Sequence, residues 1–490
     1  MAPSLASPVA PCELRPSIHE ANSYTPTVPA AGLSGNNTNI NRHFSAINNV
    51  NFNSAAETHH SATQPRNVEG QADLQDENFA DPAKTWNPDS RVYNSRRLQQ
   101  RRAETTRVAV PLPQGFPAQI NPASPLVWSG HDLVEHEYLR HLEKQDIKEI
   151  ESALEHFKSL NLPVSGVSRT TFPLPELGPK MISLAQKLYG DNNGRGFFIL
   201  RGLDPKKYDP TDNVIIYVGV SCYVAERRGT QDEKNNCLLH LTDLGATVAP
   251  DDVRQAPYSN VPQPFHTDTA DLLALYTLQP AAQGGRSLLA SSWRVYNSLA
   301  SSHIDTLAKC NWAFDTFGRK PAYEMRPLLH AIPIESSTDG TPNAIPFNEP
   351  NTRVLLSYSR RPLTGSPVSP RTPGIPALTT TQIDALDTVH FTAAAHSIAI
   401  NLQAGDIQYW NNFALLHARE GFQDDAEQRR HLLRLWLRDE NRTREWGGIP
   451  KECKLPWDEA FEGEGEEVWP IEPVREHGFV TEQRRSSGHA

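Results

Sequence analysis

The reading of the fold turns on Pro262-Gln263-Pro264-Phe265-His266-Thr267-Asp268-Thr269-Ala270-Asp271, followed by Leu272-Leu273-Ala274-Leu275-Tyr276-Thr277-Leu278. The two prolines bar a helix over the first part. The apolar run behind them has the length of a buried strand. On a strand, residues i and i+2 share a face, whereas on a helix they stand ~200° apart. His266 and Asp268 can therefore address one point in space. Read alone, the tripeptide is equally two polar residues in a loop.

Around this stretch, short strands are expected at Leu238–Leu241, Leu272–Leu278, Val354–Tyr358, Ile398–Leu402, Ile407–Trp410 and Leu432–Leu437. Helices interrupt them at Ser292–Ser301 and Thr379–Ala394, where Thr379 and Gln382 fit a capping box. Upstream, Ile147, Ile150, Leu154 and Phe157 recur at helical spacing, stopped by Pro163. A second helix carries Met181, Leu184 and Leu188, with Gly190 as its C-terminal cap. Gly196–Gly202 reads as a buried strand, and Thr211–Gly229 as a helix capped by Thr211 or Asp212. Many short strands separated by turn residues indicate a sandwich or barrel of the jelly-roll kind: mainly β with helical cover, an α+β chain.

The chain has 490 residues, with 47 Lys+Arg against 57 Asp+Glu and a formal net charge of −10. Its 40 prolines, about 8% against a usual ~5%, argue against a helical bundle. Residues 1–85, rich in Asn and Ser, lack the apolar residues to offset ordering entropy and are expected to be disordered. Residues 86–125 read as an extended, Arg- then Pro-rich linker. The folded domain is expected over 126–456, and an acidic, polar, solvated tail over 457–490. No apolar run approaches the ~20 residues of a membrane helix, and no secretory leader stands at the N-terminus. The expected setting is cytoplasmic, with no membrane partner. An acidic chain without a basic stripe is no nucleic-acid binder. Five scattered cysteines without a CxxC pattern give neither a disulfide frame nor a cysteine zinc site.

Two other His-x-acid pairs occur. His141/Glu143 is read inside a helical stretch and His303/Asp305 at the start of a helix, so neither chelates. Two histidines and one carboxylate, leaving open positions, suit non-haem Fe(II); zinc more often takes His/Cys sets or a closed fourth position. His417 is the best third ligand. His240, His330, His390 and His396 read as satisfied core residues. In Arg429–Arg434, alternation puts Arg430, Leu432 and Arg434 on one face. Two guanidinium forks on a face suit carboxylates, the competing reading being surface salt bridges.

These pieces, taken in order, resemble the TauD/TfdA-like (clavaminate synthase-like) family of Fe(II)/2-oxoglutarate dioxygenases. They are Phe265-His266-Thr267-Asp268, Gly284-Gly285-Arg286-Ser287, Gly405-Asp406 with Trp410-Asn411-Asn412, His417-Ala418-Arg419, and Arg430 with Arg434. The resemblance runs over roughly Gly196–Arg438. It implies a double-stranded β-helix, with His266, Asp268 and His417 as iron ligands. It implies that Arg430 pairs with the distal carboxylate of 2-oxoglutarate, that Ser287 hydrogen-bonds the cosubstrate in a place often held by Thr, and that Arg434 reaches cosubstrate or substrate. The implied reaction uses Fe(II), 2-oxoglutarate and O2, gives succinate and CO2, and hydroxylates or desaturates a small molecule, which Arg434 suggests is anionic. Pro262 stands where the taurine enzyme has its substrate-binding Asn, against taurine as substrate. Asp268 stands where related halogenases have a small residue, against halogenation. Two rival readings are a non-catalytic binding protein of the same family and a zinc or manganese hydrolase on the same barrel. Substrate identity and oligomeric state have no sequence signal.

Overall fold

The computed structural model describes residues 86–103, 110–333 and 352–481. The expectation of a disordered segment over 1–85 lies outside them. Eleven strands form two facing sheets. In chain order they are β1 (Leu139–His141), β2 (Phe197–Arg201), β3 (Arg227–Gly229), β4 (Leu238–Thr242), β5 (Gln263–His266), β6 (Leu272–Gln279), β7 (Ser287–Ser291), β8 (Ile398–Ile400), β9 (Ile407–Asn411), β10 (Leu415–Arg419) and β11 (His431–Arg438). The larger sheet runs β1-β2-β9-β6-β11-β3, with β4 also on β11; the smaller runs β8-β7-β10-β5. The β1/β2 pair is parallel, and the other pairs in both sheets are antiparallel. This is the expected jelly roll, a double-stranded β-helix.

Alternation along the strands explains the layers. Phe265, Leu273, Leu275, Leu289, Trp410, Leu415, Leu432 and Trp436 belong to the core between the sheets. Their neighbours Leu272, Ala274, Tyr276, Tyr409, Leu433 and Leu435 belong to a second core beneath the helices. With both faces of β6 buried, its sequence reads as an unbroken apolar run rather than an alternating one. Helices α1 (Ser90–Ala103), α2 (Lys144–Ser159), α3 (Leu177–Lys187), α4 (Pro210–Ser221) and α5 (Thr380–His396) are the longer ones among the described residues. Buried Ile150, Leu154 and Phe157 are the inner stripe of α2. Gly190 takes a left-handed φ of 90° after α3, and the Thr379/Gln382 capping box opens α5. No helix among the described residues is long and apolar enough to cross a membrane.

Several expectations differ from the structure. Helix α4 is capped two or three residues earlier, because the Asp209 carboxylate accepts from the Asp212 amide (2.7 Å) and Pro210 fits the first helical position. It stops at Ser221, and Arg227–Gly229 pairs as β3 with Trp436–Arg438. His141 ends β1 rather than lying in a helix. Within 86–125, residues 90–103 are helical rather than extended. Arg96 there reaches Asp384 (2.9 Å) and Asp387 (2.6 Å) of α5, and Tyr93 stacks on Phe391 at 4.6 Å. A helix docked by ion pairs and one ring leaves no apolar stripe for a local pattern to show. Within 457–481 the C-terminal segment is packed in part: Trp457, Phe461, Phe479 and Val480 are buried, and Glu459 meets Arg319 (2.7 Å) and Glu462 meets Arg227 (2.9 Å), whereas the acidic stretch 462–466 is exposed, as expected.

One ion pair fastens the start of β6. Asp271, fully buried, receives Arg438 Nε (2.7 Å) and Nη2 (3.2 Å), Thr443 Oγ1 (2.6 Å) and Trp457 Nε1 (3.1 Å). Removing one member of such a pair leaves the other charged and unpaired in the core. Asp271→Ala is therefore expected to lower the unfolding free energy by about 3–5 kcal/mol, read by urea denaturation. A loss below about 1 kcal/mol, the scale of an exposed pair, would show that the pair does not hold the C-terminal segment to the barrel.

Candidate metal centre and carboxylate pocket

His266 closes β5 and His417 lies in β10, and the two face each other as a register pair. The strands run antiparallel, so their side chains leave the sheet on one face with ring centroids 4.0 Å apart. Asp268 follows two residues later. Its backbone is bracketed by Asn412, whose amide donates to the carbonyls of Asp268 and Ala270 (both 2.7 Å) and accepts from the Asp268 amide (3.1 Å). Between them, Thr267 is tied to Tyr358 through its backbone N–H (2.8 Å) and its hydroxyl, which accepts from the Tyr358 amide at 2.9 Å.

The result is one compact donor set. Ligand atoms of His266, Asp268 and His417 all lie within 4.8 Å of one another. Asp268 Oδ1 stands 3.6 Å from His266 Nε2 and 3.8 Å from His417 Nε2. The two carboxylate oxygens are treated differently. Oδ2 accepts from Arg434 Nη1 (2.9 Å) and Trp436 Nε1 (3.1 Å). Oδ1 is buried and receives no hydrogen bond. His266 Nδ1 donates to the Pro264 carbonyl (2.9 Å), which leaves Nε2 with its lone pair toward Oδ1. Burial depresses the pKa of His266, partly countered by Asp268. Burial, then His266 and Arg434, hold His417 well below the usual imidazole range. Two neutral imidazoles and a bare carboxylate oxygen are the complement of a divalent cation, and the residues fit one. Trp410, 5.0 Å from the His417 ring, walls the centre.

Arg430 stands apart from this set, two residues before Leu432. It is buried, its Nη1 has no partner, and its guanidinium lies 5.3 Å from the Phe422 ring centroid. Burial lowers its pKa to about 10, so it remains a cation at neutral pH. It lines a cavity of about 260 Å3 with Thr277, Gly284, Gly285, Asn401 and Leu432. The double glycine is required there. At φ 72° and 70°, a Cβ on Gly284 would meet the Gly421 carbonyl oxygen at 2.4 Å, and one on Gly285 would press Arg430 at 3.2 Å. Arg286 clamps Glu420 with two hydrogen bonds (2.7 and 2.6 Å).

The remaining residues singled out in the sequence are placed as follows. Arg434 donates from Nε to Gln231 (2.7 Å) as well as to Asp268, leaving Nη2 buried and without a partner. Ser287 is buried and donates to Gln408 Oε1 (2.8 Å). Arg419 shares the His417 face of β10 and donates to the Ser259 carbonyl (2.9 Å) and to that of Val261, tying down the chain that leads into β5. His240 bonds His431 (2.8 Å) and the Pro470 carbonyl (2.9 Å), and His330 meets Cys453 at 3.3 Å. His396 meets Ser129 at 3.2 Å, and His390 packs beside Phe265. None of these four joins the metal-type cluster. Gln231, Thr277, Gln408 and Trp436 belong to the site but were not read from the sequence. Only Trp436 had a usable signal, its place two residues after Arg434 on one strand face.

The family described as taurine catabolism dioxygenase TauD, TfdA family, matches residues 160–436. A taurine hydroxylase-like protein of Stachybotrys chartarum is 33% identical over 363 residues, covering 71% of this chain and 88% of its own length. An FR-33289 synthase of Streptomyces rubellomurinus is 23% identical over 299 residues, covering 60% of this chain and 83% of its own. Among solved structures, an asparagine oxygenase in complex with Fe(II), hydroxyasparagine and succinate aligns at a TM-score of 0.46 with 15% identity, covering 64% of this chain and 98% of that one. The family match over more than half the chain, and a relative at one-third identity, settle membership: the chain belongs to the TauD/TfdA family and is an oxidoreductase of the Fe(II)/2-oxoglutarate dioxygenase class.

Proposed function

We propose that His266, Asp268 and His417 hold a single Fe(II) ion, that Arg430 grips 2-oxoglutarate by its distal carboxylate, and that the substrate is a small anionic molecule. The observation that carries the metal assignment is Asp268 Oδ1, a buried carboxylate oxygen without a donor that faces both Nε2 atoms. Iron and 2-oxoglutarate, when bound, supply the oxidation: O2 is spent in decarboxylating the 2-oxo acid to succinate and CO2 and in hydroxylating or desaturating a substrate carbon. The chain's own part is geometric and electrostatic. Arg434 and Trp436 hold Oδ2 so that Oδ1 points inward. Pro264 sets the His266 tautomer. His266, Asp268 and His417 would hold the ion with three donors, and a two-histidine, one-carboxylate set of this kind would leave it free to take further ligands.

Support for an anionic substrate lies in the surplus of buried cations. Arg434 has its carboxylate in Asp268, and Arg430 would have the cosubstrate. Arg419 is buried among carbonyls, and no carboxylate lies within ion-pair distance among the described residues. It is close enough to depress the pKa of His266. Taurine is disfavoured, since Pro262 offers no side-chain donor where the taurine enzyme uses an Asn. The non-catalytic reading leaves the complete donor set without a task, and a hydrolase leaves Arg430 without one.

Anaerobic loading with Fe(II) and 2-oxoglutarate, followed by exposure to air, is expected to yield succinate in an iron-dependent reaction. Screening small carboxylates, sulfonates and phosphates should find compounds that accelerate it. Protein that binds neither iron nor 2-oxoglutarate would falsify the reading. Acceleration by cationic compounds alone would remove the anionic assignment and leave the rest.

A further inference from the structure

Helix α1 lies outside the family-matched segment 160–436, yet buried charge fastens it to α5. Arg96 meets Asp384 at 2.9 Å and Asp387 at 2.6 Å, and Gln100 donates to Asp384 (2.9 Å). Both carboxylates are buried. Asp384 also meets His303 (3.2 Å). Asp387 gives Oδ2 to Arg96 and Oδ1 to the fully buried Arg360 (2.8 Å). Two guanidinium groups thus share one carboxylate, one from α1 and one from the segment behind Tyr358. Loss of Arg96 would leave the buried acids of α5 one cation short, a cost that the helix can relieve only by shifting toward water.

Helix α5 and its partners hold the chain on both sides of His266. The His390 ring of α5 packs edge-on against Phe265 at 5.7 Å. The Leu386 carbonyl of α5 accepts the Tyr358 hydroxyl (2.8 Å), and Arg360 hydrogen-bonds the same tyrosine side chain. The Tyr358 backbone then fixes Thr267 through two hydrogen bonds (2.8 and 2.9 Å). Thr267 is the residue between His266 and Asp268. Because β5 ends at His266, strand pairing does not fix Asp268. Its place depends on Asn412 from one side and on Tyr358, through Thr267, from the other.

We infer that Arg96 is a positioning residue for the metal centre: through Asp387 and Arg360 it sets Tyr358, and Tyr358 sets the spacing of His266 and Asp268. A helix beyond the family-matched segment thereby takes part in metal binding. This rests on the reading that His266, Asp268 and His417 hold iron.

The experiment is anaerobic Fe(II) titration of full-length variants in competition with a chelator, with the melting temperature of the metal-free protein measured alongside. Arg96→Met keeps the apolar stem and removes the charge. It is expected to weaken iron roughly threefold to thirtyfold, the range of coupling through a packed network. Asp387→Asn, nearly isosteric, should weaken it by a similar factor and tests the same link if the Arg96 variant does not fold. The double variant should lose little more than either single one, since both break one chain of contacts. Asp384→Asn is the control for docking alone. It removes a partner of α1 and lowers the melting temperature, but it leaves Arg96, Asp387 and Arg360 in place, so iron affinity should stay within about twofold, below the network range. The inference is overturned if Arg96→Met or Asp387→Asn lowers the melting temperature with iron affinity unchanged, if Asp384→Asn weakens iron as much as they do, or if their two effects add in full. His266→Ala tells the two failures apart. If it loses iron while Arg96→Met binds iron normally, only the positioning role is wrong. If it keeps iron, the metal-centre assignment falls as well.

Discussion

His266→Ala is expected to give a folded protein that retains no divalent metal and makes no succinate. The variant removes one of three donors and leaves Asp268 Oδ1 facing a single imidazole. Loss of mere outer partners of a metal ligand costs 10–100-fold in affinity, and loss of a ligand should cost more than about 100-fold. Removing the buried ring also gives up its bond to the Pro264 carbonyl, a stability loss of about 1 kcal/mol. Metal content after anaerobic loading and desalting checks the prediction, with far-UV circular dichroism as the control for folding. A His266→Ala protein that keeps one equivalent of iron would exclude His266 as a ligand.

Arg430→Ala should behave differently. Metal stays bound, because Arg430 touches none of the three donors, and the demand for 2-oxoglutarate rises. Truncating one side of a buried, hydrogen-bonded charge pair costs about 2–5 kcal/mol. At 1.4 kcal/mol per decade this corresponds to roughly 30-fold to several thousand-fold in Kd. Part of that comes from the stranded carboxylate, now in a cavity without its cation. Titration of the iron-loaded variant measures it. If His266→Ala and Arg430→Ala show the same defect, the division of labour between metal centre and carboxylate pocket is wrong.

The pieces of this site were legible in unequal measure. His266 and Asp268 could be paired from local sequence, because the prolines bar a helix there and extended backbone lets residues i and i+2 address one point, although β5 closes at His266 and Asn412 holds Asp268 beyond it. The helix caps and the inner stripe of α2 were legible for the same reason, being properties of a few adjacent residues. His417 could be ranked but not proved by spacing, since it lies 151 positions from His266 and only strand pairing brings them into register. Arg434 shows the limit well. Its place on an apolar strand was legible, but not its Asp268 partner, which depends on how β11 lies against the end of β5. The helical 90–103 segment and the packed C-terminus escaped because their partners, Asp384 and Asp387 for one and the Tyr258 and Leu239 cluster for the other, are remote in the chain.

What the amino-acid order settled by itself is thus the local vocabulary: short strands, capped helices, a His-x-Asp pair on one face, arginines two turns of alternation apart. The tertiary structure decided which of those groups meet. It left one oxygen of Asp268 bare and clamped the other, and committed Ser287 to Gln408. The physical reason is that backbone periodicity governs side-chain direction over a few residues, whereas hydrogen-bond satisfaction is set by whichever distant group closes the buried space.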